Sequence, residues 1–285
     1  MTLIRPATRG EYLRIAIALL VCVIVVAPLY LMVATSLKGD EQQILTDLGS
    51  LRAFWVSPSE ASLENYREVL ADRQAPFLRF MFNSVVIVAS IVVFGILFNS
   101  ACAFALSRLR FGGRAVLLAV IVALIIIPME ALAVPLLLMM ARVGWLDTYQ
   151  AQIVPFIAHP FSIYLFYQFF AKLPKDLDEA AYVDGASPLQ VYWRLVLPLS
   201  LPVIATVAIL QSLEYWNAYL WPLMVTRGAD VRPVSLALAQ FFSTPPPIWG
   251  NQMAFCTLMS LPVLVAYLFF QRWFIQSVVG SAVKG

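Results

Sequence analysis

Residues 172–202 read KLPKDLDEAAYVDGASPLQVYWRLVLPLSLP, a hydrophilic stretch between two long apolar windows. Pro174 suits the first position of a helix, and acids follow it in the first turn, where they favour the helix dipole. Gly185 provides a C-terminal cap for that helix. Ser187 and the proline after it predict a second helix, which runs until Pro198 and Pro202 redirect the chain. The stretch therefore predicts an elbow of two helices joined at a glycine.

Six apolar windows surround this elbow, each long enough to cross a hydrocarbon core of about 30 Å, which needs about 20 residues. They are residues 15–37, 80–107, 115–141, 148–171, 195–226 and 233–271. The chain is 61% hydrophobic and 12% charged, unlike a soluble domain. Because the apolar runs lack period-two alternation, the spans are predicted to be helices and not barrel strands. The predicted fold is an all-α polytopic membrane protein with six transmembrane helices.

Lysines and arginines in the short loops predict the orientation of the chain. With both termini in the cytoplasm, the basic turn at 107–114 and the elbow lie inside, as the positive-inside rule requires. We attribute that turn to membrane orientation. The segment at about 38–80 then lies outside, where its mixed charge and aromatic residues predict an ordered cap with short helices. Residues 1–285 are expected to form a single transmembrane domain with this cap and a cytoplasmic loop at about 172–198.

Seven elbow positions have the spacing of a known signature. They are Glu179, Ala180, Ala181, Gly185, Leu195, Leu197 and Pro198. This pattern resembles the EAA signature of permeases of ATP-binding-cassette importers, with Leu195 in place of isoleucine. The resemblance implies the MetI-like permease fold, and a coupling helix that sits in a cleft of an ATPase subunit. The residues that it assigns to ATPase coupling are Asp178, Glu179, Ala180, Ala181, Asp184, Gly185, Ala186 and Pro198.

The C-terminal tail narrows the resemblance. Residues 271–274, QRWF, and 280–285, GSAVKG, resemble the end of the second permease subunit of maltose-type carbohydrate importers. In that subfamily the tail reaches between the ATPase subunits, and the loop before the last span probes the external binding protein. The loop at 244–249 has the matching position here. Its candidate binding-protein contacts are Pro245, Pro246, Pro247 and Trp249.

The resemblance also implies partners. They are a second homologous permease, two ATP-binding-cassette ATPase subunits, an external solute-binding protein and the lipid of a bacterial plasma membrane, with no nucleic acid. The chain is then expected to form half of a pathway for a sugar or sugar-like solute. No G-x-x-x-x-G-K-[ST] phosphate loop occurs in the sequence. The chain is therefore not expected to be an enzyme or to hold a cofactor, and ATP and Mg²⁺ are expected in the partner ATPase.

Ionisable groups within spans are candidates for solute handling, because burying them in lipid is costly. Glu130 and Glu214 are such groups. On a continuous helix at 100° per residue, Glu214 shares a face with Gln211, Asn217 and Trp221, a polar and aromatic stripe suited to hydroxyl-rich ligands. The same side chains could instead form a structural network between helices. The candidate solute pathway is Glu130, Gln211, Glu214, Asn217 and Trp221.

Pro128 and Pro135 flank Glu130 and predict a bend in the third span. An ion-coupled secondary carrier is the alternative function, because a titrating carboxylate and proline-broken helices suit alternating access. An intramembrane hydrolase is disfavoured, because the sequence has no G-x-S-x-G elbow and no serine placed by pattern near His159. That single histidine, and cysteines without close spacing, predict no metal site.

Overall fold

The computed structural model describes residues 9–243 and 245–282, with side chains as far as Leu268 except at positions 9, 11 and 267. Within these residues the chain is mostly helical and has no strand, only one isolated antiparallel bridge, between Lys38 and Ala61. The all-α expectation is confirmed. The helices are α1 (Arg9–Ser36), α2 (Glu41–Asp47), α3 (Glu64–Ala71), α4 (Phe77–Arg108), α5 (Arg114–Leu124), α6 (Met129–Arg142), α7 (Tyr149–Ile157), α8 (Pro160–Lys172), α9 (Asp176–Val183), α10 (Pro188–Val191), α11 (Leu197–Leu199), α12 (Leu201–Trp216), α13 (Leu220–Val225), α14 (Val234–Ser243) and α15 (Trp249–Ala282).

One compact unit consists of Met1–Phe77 and Leu238–Leu261. The segment expected to form an ordered cap contains α2, α3 and a 3₁₀ turn at Leu51–Phe54. A buried ion pair holds this segment together, because the Lys38 ammonium lies 2.8 Å from the Asp47 carboxylate. Lys38 also donates to the Arg52 carbonyl at 3.0 Å. These contacts satisfy a charge that would otherwise be costly to bury.

The other unit consists of Leu78–Ala237 and Pro262–Gly285. Its core includes aromatic side chains from α4, α8 and the second half of the elbow. Phe166 and Phe170 are fully buried with their ring centroids 5.7 Å apart, and Phe104 lies 5.3 Å from Tyr192. This core carries the elbow, since Ala181 and other elbow residues pack directly on it.

The described helices match most of the predicted apolar windows. Tyr12–Ser36, Phe77–Arg108 and Tyr149–Lys172 are each long and apolar enough to cross a membrane. Two further pairs qualify only as bent spans, α5 with α6 at 103° and the Pro188–Leu199 segment with α12 at 75°. The described residues thus account for three spans, or five if each bent pair counts as one. The sixth predicted window lies on α14 and α15 and runs beyond the last described side chains.

Prolines lie at the starts of three helices that follow breaks in the chain. Pro128 is the N-cap of α6, Pro160 is the first residue of α8, and Pro202 lies in the first turn of α12. A proline lacks the N–H that would continue the preceding helix, but it is tolerated at a helix start. The bend predicted beside Glu130 is present at Pro128. Pro135, by contrast, is accommodated inside α6.

Candidate functional site

The elbow, residues 172–198, begins with α9. Its helix starts at Asp176, so Pro174 lies before it and not at its first position as the sequence predicted. Lys175 already has helical backbone angles, and its carbonyl accepts the first two N–H bonds of the helix, at 2.9 and 3.1 Å. The proline therefore belongs to the segment that leads into the helix and not to the helix itself.

A Schellman motif ends α9 at the predicted glycine. Gly185 has φ = +80°, a conformation that L side chains rarely adopt. Its N–H donates to the Tyr182 carbonyl at 3.0 Å, and the Ala186 N–H donates to the Ala181 carbonyl at 2.9 Å. These two bonds satisfy carbonyls at the helix end and fix the turn. The first half of the elbow is a capped, well-defined unit.

The second half begins with a capping box. The Ser187 hydroxyl accepts from the Gln190 N–H at 3.3 Å, and the Gln190 side chain accepts from the Ser187 N–H at 2.7 Å. The helix then widens into a π turn over Tyr192–Val196, where the Leu197 N–H reaches the Tyr192 carbonyl. Pro198 lacks an N–H and cannot continue the regular ladder. The helix nevertheless continues past Pro198 to Leu199 and ends before Pro202, between the two prolines predicted to redirect the chain.

A buried ion pair ties the elbow to the end of α4. Arg108 Nη1 lies 2.7 Å from Asp178 Oδ2, and the two side chains are 4% and 11% exposed. Arg108 Nη2 donates to the carbonyls of Phe170 and Leu173, at 2.8 and 2.9 Å. One guanidinium thus holds α9 and the end of α8 to α4. The sequence did not indicate this role, because membrane orientation already accounted for the basic turn.

The predicted coupling residues divide between an inner and an outer face. Asp178 is buried, and Ala181 and Ala186 are half-buried against the core; the exposed ones are Glu179, Ala180, Asp184, Gly185 and Pro198. Large apolar side chains also face outward, with Val183 at 87% and Leu189 at 66% exposed. The elbow is therefore anchored on its inner face and has an outer surface that is both apolar and acidic.

A cavity of about 750 Å³ lies elsewhere in the same unit. Of the predicted pathway residues, Glu130, Glu214 and Trp221 line it, whereas Gln211 and Asn217 do not. The other polar or aromatic side chains of its wall are Ser84, Gln152, Phe156, His159, Phe161, Tyr215 and Tyr219. The wall thus combines a few polar groups with several aromatic rings.

His159 joins the cavity wall at the break between α7 and α8. Its Nδ1 lies 2.9 Å from the Ser162 hydroxyl, and its Nε2 lies 3.6 Å from Glu214 Oε2. Asn99 of α4 holds the break, because its amide donates to the Ile157 carbonyl at 3.1 Å and accepts from the His159 N–H at 3.0 Å. An asparagine in mid-span was the sequence signal, since its amide needs partners in lipid. Ser162 is buried in the first turn of the same helix, so this contact is local.

Trp221 has a structural bond as well as a place in the cavity wall. The indole N–H donates to the Ala151 carbonyl at 2.9 Å, and the side chain is buried. That carbonyl lacks its helical partner, because the residue four positions later is Pro155. Trp221 therefore supplies the hydrogen bond that the Ala151 carbonyl cannot receive from the backbone.

The predicted polar stripe assumed a continuous helix, and this was wrong. Helix α12 ends at Trp216, Asn217 is its C-cap, and a new helix starts at Leu220. Restarting there places Pro222 in a first turn, where no N–H bond is required. The Asn217 amide donates to a carbonyl of the preceding turn at 2.8 Å, and the Ser235 hydroxyl donates to Ala218 O at 2.7 Å.

Two buried glutamines have unpaired amide atoms. Gln211 is 1% exposed and lies against Gly95, where a Cβ would come within 3.1 Å of its Oε1. Neither of its amide atoms has a hydrogen-bond partner among the described residues. Gln152, in the cavity wall, is 2% exposed and donates to the Val231 carbonyl at 2.7 Å. Its Oε1 has no partner in the described part of the chain.

The predicted binding-protein loop lies just before α15. Pro245, Pro246 and Pro247 are exposed, and Trp249 is half-buried as the first residue of the helix. The Glu41 carboxylate accepts from the Trp249 N–H at 2.8 Å, which suits a helix N-terminus. Thr244 and the last three residues of the predicted tail lie outside the described residues, as do the side chains of the rest of that tail.

Comparisons with known proteins give a consistent result. Residues 91–280 match the family described as binding-protein-dependent transport system inner membrane component. The trehalose/maltose transport system permease protein MalG of Thermococcus litoralis is 32% identical over 94% of this chain and 95% of its own length. The sn-glycerol-3-phosphate transport system permease protein UgpE of Yersinia enterocolitica is 32% identical over 74% of this chain and 76% of its own.

A solved structure shows the same fold. A chain in the crystal structure of a bacterial ABC transporter involved in the import of the acidic polysaccharide alginate has a TM-score of 0.81, with 24% identity over 95% of this chain and 99% of that chain. Together with the family match over most of the chain, this fold explains the helical spans and the EAA-type elbow. The chain belongs to the family of inner-membrane components of binding-protein-dependent transport systems.

Proposed function

We propose that this chain is one of two homologous permease subunits of an ATP-driven importer that brings a sugar or sugar-like solute into a bacterial cell. Family membership, and relatives named for sugar transport, support the proposal. Membership also favours it over an ion-coupled carrier. The observation that carries it is the exposed elbow, whose inner face is anchored to α4 by the Arg108–Asp178 pair.

The elbow would dock on a partner ATPase subunit. Val183 and Leu189 offer apolar contact area on its outer face, and Glu179 supplies an exposed charge. Because the inner face is fixed to α4, a displacement of the elbow moves that span as well. ATP and Mg²⁺ are expected in two such ATPase subunits and not in this chain.

The remaining partners follow from the topology. With both termini in the cytoplasm of a plasma-membrane protein, segment 38–80 and the loop at 245–249 face the external binding protein. We expect residues 1–285 to work as one transmembrane domain, although they pack as two compact units. The cavity would form this chain's half of the pathway, and the second permease would complete it.

In the proposed cycle, the loaded binding protein docks outside and the ATPase subunits close on ATP. The elbow then moves, and the permease pair opens outward to receive the solute. Hydrolysis returns the pair to the inward-facing state. The pathway residues of this chain would contact the solute only while it passes.

The test uses the complete importer in proteoliposomes, with Gly185→Val and Gly185→Asn. No atom lies within 4 Å of a Cβ at this position, so backbone conformation alone penalises a side chain. Left-handed backbone costs most side chains about 1–2 kcal/mol, but asparagine tolerates it better. We expect Gly185→Val to lose uptake while assembly and basal ATP hydrolysis persist, and Gly185→Asn to retain most uptake. Normal uptake in Gly185→Val would refute the coupling role, and uptake without ATP would indicate an ion-driven carrier.

A further inference from the structure

The chemistry of the cavity wall restricts the solute, provided that the cavity is part of the pathway as proposed above. Glu130 and Glu214 are the two carboxylates of the wall, and no lysine or arginine is among the described residues that line it. His159 is the one other group that can carry a full charge near neutral pH. Its Nε2 faces Glu214 at 3.6 Å, so a proton on the ring would be offset by that carboxylate. The described wall thus has two acidic groups against one basic group.

The hydrogen-bonding capacity of the wall has the same bias. Carboxylates act only as acceptors when ionised. Gln152 adds a buried acceptor, because its amide N–H is used on the Val231 carbonyl and its Oε1 has no partner in the described chain. That bond also fixes the orientation of the amide. An unpaired buried acceptor is costly unless something donates to it.

Two nitrogen atoms of the wall are already engaged. The Trp221 indole N–H is used on the Ala151 carbonyl at 2.9 Å. His159 Nδ1 is occupied by the Ser162 hydroxyl. The Ser84 hydroxyl accepts from the Val234 N–H at 2.8 Å, and its own O–H and the Tyr215 and Tyr219 hydroxyls are neutral donors of the wall. A phosphate or carboxylate would meet like charge from the two carboxylates, whereas hydroxyl and ammonium groups would find acceptors.

We propose that this half of the pathway selects solutes without negative charge, namely neutral or amino-substituted sugars, and that Glu130 and Glu214 accept hydrogen bonds from them. Aromatic rings in the wall supply faces on which sugar rings or ammonium groups can lie. The inference discriminates among the relatives, since trehalose and maltose are neutral, whereas glycerol 3-phosphate and alginate are anionic. On this basis the solute belongs with the first group.

The test measures binding to the permease itself, so that an external binding protein does not choose the probe. The purified complex of this chain with its permease and ATPase partners is titrated by saturation-transfer NMR. The probes are maltose, a glucosamine disaccharide and a uronic-acid disaccharide of the same size. The variants are Glu130→Gln/Glu214→Gln and, as a control for one lost charge, Glu64→Gln, which lies outside the cavity wall.

In the wild type we expect maltose and the amino disaccharide to bind about tenfold or more tightly than the uronic-acid disaccharide, a typical effect of one partly buried like-charge contact. The double variant should shrink this ratio to about threefold or less, and Glu64→Gln should leave it unchanged. The inference is overturned if the uronic-acid probe binds as tightly as maltose, if no probe binds, or if the double variant keeps the wild-type ratio. Such an outcome would leave the proposed function standing, because ATP-dependent uptake with the binding protein is a separate measurement.

Discussion

The elbow and the cavity lie in the same compact unit but are built in opposite ways. In the elbow the charged Arg108 and Asp178 are buried and paired, and apolar Val183 and Leu189 face outward. In the cavity most of the wall is apolar, and two carboxylates and several aromatic side chains line it. The elbow suits permanent contact with a protein surface, whereas the cavity suits transient contact with a small polar solute.

The elbow and the cavity also differ in how free backbone N–H and C=O groups find hydrogen-bond partners. The elbow ends its helices with local caps at Gly185 and Ser187, which residues next to them in sequence supply. The cavity relies on distant side chains, because Asn99 and Trp221 satisfy backbone groups that lie about 60 and 70 positions away in sequence. Disturbing the elbow should therefore affect coupling, and disturbing the cavity should affect the solute path.

The largest effect is expected from Arg108→Met. It leaves the Asp178 carboxylate buried without its partner and frees two carbonyls, which costs about 3–5 kcal/mol. The unfolding temperature of the assembled complex should fall clearly. Uptake per ATP hydrolysed should also drop, by more than the unfolded fraction of the complex accounts for. Arg108→Lys is the control, since it keeps the charge but not the forked geometry. If the Arg108→Met complex is as stable and as coupled as the wild type, the Arg108–Asp178 pair contributes to neither property.

Asn99→Leu should have the next largest effect. It leaves the Ile157 carbonyl and the His159 N–H unpaired, at about 1–3 kcal/mol for each group. Asn99→Asp is the matched variant, because it keeps the acceptor for His159 and loses only the donor. We expect uptake and thermal stability to be lower than wild type in Asn99→Asp and lower still in Asn99→Leu. Equal behaviour of the two variants would show that the bond to Ile157 accounts for the whole effect.

A smaller effect is expected from Trp221→Phe, which removes the indole N–H from the Ala151 carbonyl at a cost of about 1–3 kcal/mol. Adding Pro155→Ala should restore much of this stability, because an alanine N–H at that position can bond to the same carbonyl. The double-variant cycle thus separates the structural bond from solute contact. If Pro155→Ala gives no rescue, Trp221 contributes through packing or solute contact instead.

The smallest effect is expected from Gln211→Met. Both amide atoms of Gln211 are buried without partners in the described chain, so an apolar side chain of similar length should leave stability unchanged or slightly higher. Uptake should also stay near the wild-type rate, because this side chain faces Gly95 and not the cavity. A large loss of uptake with intact assembly would return Gln211 to the solute pathway.

Local sequence signals predicted the elbow well. Gly185 and Ser187 act on backbone groups within a few positions, so their caps could be inferred from the order of residues. The start at Asp176 was misplaced by two residues, because proline is tolerated both in a first turn and before it. The Arg108–Asp178 pair could not be inferred, since nothing in the sequence indicates which of several basic residues approaches a given acid.

The cavity was predicted in part. Glu130 and Glu214 could be singled out because ionisable groups in apolar spans are rare and costly. The extrapolation from Gln211 to Trp221 failed, because a helical wheel holds only while the helix continues, and α12 ends at Trp216. Asn99, Gln152 and His159 enter the wall or support it through partners far away in sequence.

The sequence by itself determined the membrane-spanning helical class, the permease family and the capped form of the elbow, because these depend on composition, periodicity and short spacing. Tertiary structure decided how the elbow is anchored and which polar groups face the cavity. The physical reason is the same in both cases. A charge or a backbone group freed by proline must find a partner when it is buried, and only the packing of distant helices determines which side chain supplies it.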